Sequence, residues 1–350
     1  MFKVQILNQG ANEIHAADYK KNEGDVLCCP DPQCHARMTH VSESQELATF
    51  YRAAHFRTMR GESHIEGCEA HQEEKDFKQR MDTIREALQK GKRILLSLND
   101  VDTGYGLPAH LRVTFKGRSD PAYAHTELYA FEKEHRGNFV SQSVKKIFSL
   151  MSILHMIDKE GGPPAFNNVF FAWQGQVKSY EDLVCDGPEC ADKLFKDLLE
   201  TAENHTSPHI FNYNGHRGAY GFPRLIEFEA SELGRGKDKG MVFGKSRQVA
   251  YDPESKSKLW MKHAISISKL DEKTRERLLS GNLVRLIATP KVNATMARDA
   301  FKKFNGGHFA SIRITWTVAG EHQLQVIDRE KHLGKPLPAR ADKRGQLALL

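Results

Sequence analysis

The 350-residue chain is 39% hydrophobic and 27% charged, proportions that exclude a disordered or collagen-like protein and suit a globular one of two or three domains. Its net charge is only +6, but residues 231–350 carry 24 Lys and Arg against 12 Asp and Glu, and residues 1–230 carry 27 against 33. A basic third beside an acidic remainder points to a polyanionic partner. The most apolar stretch, residues 148–157, is broken by serine and histidine, so neither a leader nor a membrane span is expected and the protein is placed in the cytoplasm.

In chain order, residues 2–7 and 13–19 alternate apolar and polar and predict short strands. Residues 28–34 hold two prolines and form a turn-rich knuckle. A helix is predicted over 71–92, since Phe77, Met81, Ile84 and Leu88 share a face and Gly91 stops it. Residues 93–98, 109–115 and 126–132 read as strands, and 139–157 as a helix carrying Val140, Val144, Ile147, Met151 and Leu154, closed by Gly161-Gly162-Pro163-Pro164. A strand over 169–173 and a helix over 192–203 follow.

The last third is strand-rich and β-branched. Strands are predicted at 225–228, 241–243, 264–267, 283–288, 311–318 and 323–327, with one helix over 294–304 and a hairpin turn at 319–321. This order predicts an α+β protein. A small zinc knuckle and its helix occupy 1–92, a mixed central segment 93–210, a basic antiparallel-sheet-rich domain (barrel-like as one option) 211–330, and an irregular tail 331–350.

Six cysteines at 28, 29, 34, 68, 185 and 190 read as metal ligands before disulfides in a cytosolic chain. Zinc takes four tetrahedral thiolate or imidazole ligands brought together in pairs by short loops. Cys29 and Cys34 offer one pair, and His64 and Cys68, four apart on one face of a helical turn, offer the other. Cys28 competes with Cys29, and His35, His40, His55 and His71 are alternatives. Cys185 and Cys190 repeat the four-residue spacing, with His205 and His209 downstream as further ligands for a second site.

Cys29-Pro30, Cys34, His55-Phe56-Arg57 and His64-x3-Cys68 together resemble the zinc-finger region of competence-protein CoiA-like proteins, over residues 25–75. That pattern usually has two residues between its first cysteines, where this chain has four and an additional Cys28. In that family the finger precedes a nuclease-like domain linked to DNA uptake and recombination, so the resemblance implies a DNA-associated role.

A nuclease of that type needs carboxylates and a lysine grouped to hold a divalent cation. Glu73-x-Lys75 and Asp271-x-Lys273 are best read as surface charge, and Glu127 and Glu132 have nothing to mark them as ligands. The chain holds no phosphate loop, nucleophile elbow or His-Glu-x-x-His helix. No catalytic constellation is found.

Binding is the stronger expectation. Residues 211–222 interleave aromatics with glycines, His216 and Arg217, and the glycines would permit close approach to a ligand. Residues 235–247 form a basic, glycine-rich loop. Lys256, Lys258, Trp260, Lys262 and His263 extend it, and Arg298, Lys302 and Lys303 share a helical face. Cations for phosphates and rings for bases are what single strands require. The candidate contacts are Arg217, Tyr220, Arg235, Lys237, Lys239, Lys245, Arg247, Trp260 and Lys302. DNA is expected ahead of RNA, with an acidic protein as the rival partner.

Overall fold

The structure is a computed structural model that describes residues 3–9, 12–16, 19–42, 44–47, 50–52, 55–98, 121–144, 146–185, 187–203, 210–213, 216–234, 240–244, 246–267, 270, 272–279, 283–318 and 320–327. The expected strand at 109–115 and the tail at 331–350 lie outside these residues. Contacts divide the chain into two units, 1–90 with 151–163 and 334–350, and 91–150 with 164–333.

In the first unit, β1 (Lys3–Ile6) is the centre of a three-stranded sheet, antiparallel to both β2 (Asn12–His15) and β3 (Leu27–Cys28). Val4 and Ile6 alternate inward, as a half-buried strand requires, and pack with Tyr19, Leu27, Met38 and Phe56. β4 (Met38–Val41) pairs with β7 (His55–Thr58), and β5 (Ser44–Leu47) with β6 (Phe50–Arg52). Helix α1 (Glu69–Gln89) buries Ile84 and Ala87. It stops at Gly91, whose φ of 61° supplies the left-handed residue that ends a helix.

In the second unit, β8 (Arg93–Ser97) is buried at Ile94, Leu95 and Leu96, the continuous apolar run of a strand covered on both faces. Residues 126–132 form no strand. Thr126 accepts from the Tyr129 amide at 3.0 Å and caps α2 (Glu127–Glu134), whose Leu128 and Phe131 are at helical spacing. The helix expected over 139–157 is two elements. β9 (Phe139–Ser143) runs parallel to β8, and α3 (Ile147–Gly161), whose residues from 151 on belong to the first unit, begins only after it.

β10 (Val169–Trp173) also lies parallel to β8 and turns into β11 (Gln176–Ser179) through Gln174 and Gly175, both at positive φ, the turn that matches strand twist. The short α4 (Tyr180–Leu183) and β12 (Val184–Cys185) lead to α5 (Gly187–Glu203).

The remaining strands are β13 (Ile210–Tyr213), β14 (His216–Tyr220), β15 (Arg224–Leu233), β16 (Met241–Gly244), β17 (Arg247–Tyr251) and β18 (Lys258–Ser266). After α6 (Glu272–Leu279) come β19 (Leu283–Asn293), α7 (Ala294–Asn305), β20 (Ala310–Thr317) and β21 (Leu324–Ile327). Pairing closes a circuit β15-β16-β18-β20-β19-β15. β19 makes this possible by being long. Its first half pairs with β15 and β21, and its second with β20 and β14. Thus β20 and β21, expected as one hairpin, each pair with β19 instead. The sheet is mostly antiparallel, but β18 and β20 are parallel because α6, β19 and α7 intervene. Helix α7, capped by Asn293 on the Met296 amide, covers β20, and α5 covers β14. The core contains Leu194, Leu198, Ile265, Val284, Leu286, Ile314 and Trp316.

Candidate metal centre and basic surface

Cys29, Cys34, His64 and Cys68 lie in the first unit with their ligand atoms all within 4.8 Å of one another, close enough to hold a metal ion. All four are buried. Local backbone explains the placement. Cys29 leaves β3 with its amide on the Ala36 carbonyl at 2.8 Å. Asp31 then folds the proline-bounded knuckle, taking the Gln33 amide on Oδ1 at 2.9 Å and the Cys34 amide on its carbonyl at 3.0 Å. His64 and Cys68 do not share a helical turn. His64 sits in the loop after β7, and Cys68 is the N-cap of α1, in extended conformation.

The sulfurs of Cys29 and Cys68 are 3.7 Å apart, against about 3.8 Å for two thiolates at tetrahedral angles on one zinc. His64 Nδ1 is 3.1 Å from Cys34 Sγ and 3.5 Å from Cys68 Sγ. Its other nitrogen, Nε2, is 3.0 Å from Thr58 Oγ1. With the ring proton on Nε2 and donated to Thr58, Nδ1 presents its lone pair to the three sulfurs, the arrangement metal-ligating histidines adopt.

Two of the three thiols are shifted, in opposite directions. Burial foremost, with Cys68 and Cys34 beside it, pushes the Cys29 thiol up to about 12. Burial also opposes ionisation of Cys34, but the amides of Ala36 and Ile65 and the neighbouring thiols outweigh it, so its value is lowered.

Of the competing ligands, Cys28 and His40 are turned elsewhere. Cys28 follows the strand alternation to the opposite side, where its sulfur faces the Gln5 carbonyl at 3.6 Å. Among the histidines, His40 is hydrogen-bonded to the Ala16 carbonyl at 3.1 Å and lies edge-on to Tyr19. His35 is exposed at a φ of 48°. His55 lies outside the cluster.

The candidate nucleic-acid contacts are scattered over the second unit. Arg217 lies on β14, its amide bonded to Thr295 Oγ1 at 3.1 Å. Tyr220 is 7% exposed, and burial raises its hydroxyl's pKa. Arg247 is paired with Asp192 at 2.6 Å. Trp260, on β18, has its ring 6.2 Å from that of Phe309. Lys302 is exposed in the last turn of α7. Arg235, Lys237, Lys239 and Lys245 lie outside the described residues, as do His205 and His209. The space beside Gly218, expected to admit a ligand, is filled by Phe211, since a Cβ there would stand 2.2 Å from its ring.

Sequence reasoning missed Lys291, Arg313 and Phe243. The Lys291 ammonium stands over the rings of Phe211 and Tyr220, at 5.8 and 5.9 Å. Arg313 and Lys262, register partners on β20 and β18, both lie over Phe243, at 5.6 and 5.7 Å. Burial, and after it the Arg313 charge, holds Lys291 below its usual value. Single cations inside β-branched runs were the available signal. Thr58 was missed because nothing in sequence ties it to His64.

Fold and site together define an α+β protein with a buried Cys3His cluster suited to a metal ion. No family model matches the chain, and no curated protein or solved structure matches it either. Among the described residues, no helix is long and apolar enough to cross a membrane.

Proposed function

We propose that the protein is a cytoplasmic, zinc-containing nucleic-acid-binding protein that favours single-stranded DNA. The observation that carries this reading is the strip of cations and rings on β18, β20 and β19. Alternation places Lys258, Trp260 and Lys262 on one face of β18, with Ser311 and Arg313 beside them on β20. Thr315 continues the row to Lys291 on β19. Lys258, Ser311 and Phe309 are exposed, so the strip opens to solvent at that end. Cations set beside aromatic rings serve a polymer that offers phosphates and flat bases together. A phosphate near Lys291 would relieve both its desolvation and its repulsion from Arg313. The likeness of residues 25–75 to the finger of CoiA-like proteins supports association with DNA.

Three thiolates and an imidazole favour zinc over hard cations. Four protein ligands close the coordination shell, so the metal's role is to hold the fold and it leaves no position for substrate.

Fluorescence anisotropy with a labelled single strand, a duplex and an RNA hairpin, across rising salt, tests the reading. Binding to the single strand should fall steeply with salt. Removing Lys291 or Arg313 should lower the logarithmic salt slope by about 1 each. No binding of any of the three at low salt would overturn it, and would leave an acidic protein as the partner this strip fits.

A further inference from the structure

Cys185 and Cys190 form a second sulfur cluster that the metal site does not use. Cys185 ends β12, which lies parallel to β15 with Val184 opposite Leu225 and Cys185 opposite Ile226. Cys190 is in the first turn of α5, five positions further along the chain. Their sulfurs are 2.7 Å apart, with the Cys190 thiol also facing the Val184 carbonyl at 3.8 Å. Cys185 is 7% exposed, whereas Cys190 is partly open to solvent.

Arg224, beside Leu225 on β15, brings a positive charge to this pair. Its guanidinium lies over the Phe222 ring at 5.5 Å, and its Nη1 is buried with no hydrogen-bond partner among the described residues. Burial lowers the Arg224 pKa, while the charges of Cys185 and Cys190, and of Asp182 and Asp197, act the other way. Arg224 thus stands near both cysteines as well as near the carboxylates of Asp182 and Asp197. The N-terminus of a 17-residue helix adds to the same field.

We infer that Cys185 and Cys190 are a thiol–disulfide exchange site that takes low-molecular-weight disulfides of the glutathione class. The Cys190 thiolate attacks one sulfur of the small disulfide, forming a mixed disulfide and expelling one thiolate. The Cys185 thiolate then attacks Cys190 Sγ, closing the intramolecular disulfide and expelling the second. Two electrons pass from the cysteine pair to the small disulfide, and the two thiol protons end on its two released thiols. The reverse sequence reduces the site. Exposure decides the order, because the partly open sulfur meets the reagent and the buried one resolves.

The test uses the full-length protein equilibrated in glutathione buffers of graded ratio, quenched in acid, alkylated and digested with trypsin. Residues 179–193 form one peptide holding both cysteines and no others, separate from those holding Cys28, Cys29, Cys34 and Cys68. It should pass from doubly alkylated to unalkylated and two mass units lighter, in one two-electron transition. The folded protein should favour the disulfide at least tenfold over the urea-unfolded chain, about 30 mV in midpoint. Cys185→Ser should accumulate glutathione on Cys190. Arg224→Gln should slow oxidation near neutral pH and match wild type at high pH, where thiolates form unaided.

Full alkylation at the most oxidising ratio would overturn the inference. So would the same midpoint in folded and unfolded chains, or two thiols protected with no mass loss until a chelator is added. The last result would make the pair a metal site.

Discussion

Replacing Thr58 with valine removes a hydroxyl and keeps the shape. In the wild type, Thr58 Oγ1 lies 3.0 Å from His64 Nε2, where it accepts from the tautomer that turns the Nδ1 lone pair to the sulfurs, and His64 is 8% exposed. The variant leaves that N–H buried without its acceptor, at a cost of about 1–3 kcal/mol. It also frees the ring to turn, or to move its proton to Nδ1 and withdraw the ligand. Loss of such an outer partner weakens metal binding by about 10–100-fold, equivalent to about 1.4–2.8 kcal/mol. Competition for zinc against a chromogenic chelator, in reducing buffer, measures the affinity. Thermal unfolding of metal-loaded and metal-free protein separates ligand orientation from packing. Affinity within twofold of wild type would refute the role given to Thr58. So would equal destabilisation of the two forms, which would mean that the hydroxyl serves only the fold.

Cys29→Ser should abolish stoichiometric metal binding, while Cys28→Ser should retain one ion per chain by elemental analysis. His263 accepts from Trp316 Nε1 at 3.0 Å, and burial, then Arg247, lowers it from 6.5 to about 4. The unfolded chain is therefore protonated first as pH falls, so stability present above pH 6.5 should decline by about 3 kcal/mol between 6.5 and 4. Denaturant titrations should show a flatter profile for His263→Gln. Arg285, 1% exposed, pairs with Glu227 directly across β15 and β19, with Nε to Oε1 at 2.6 Å. Glu227→Leu should lower stability by about 3–5 kcal/mol by stranding that charge, read from the urea midpoint. Gly218→Ala should cost about 3 kcal/mol or more, because the added methyl would sit 2.1 Å from the Val292 carbonyl oxygen.

Local chemistry was legible wherever one element explained its own pattern. Val4 and Ile6 alternate, Ile84 and Leu88 share a face, Gly91 ends a helix, and knuckle prolines hold Cys29 near Cys34. The two errors in the middle of the chain have different causes. Val140, Val144 and Ile147 have helical spacing, but Val140 belongs to a strand drawn into line by β8, and the helix starts at Ile147. Residues 126–132 hold apolar positions that fit either period, and the Thr126 cap on Tyr129 selects the helix.

By itself, the sequence singled out Cys29, Cys34, His64 and Cys68 as a candidate metal-binding set, because clustered Cys and His are rare except as ligands. It also determined the charge asymmetry and most strand positions in the last third. Tertiary structure alone decided which neighbouring cysteine faces the site, since one residue along a strand reverses a side chain's direction. It paired His64 with Thr58 and set Cys190 against Cys185. It also brought Lys262, Arg313 and Lys291 into one row, because strands far apart in the chain become neighbours only when the sheet closes.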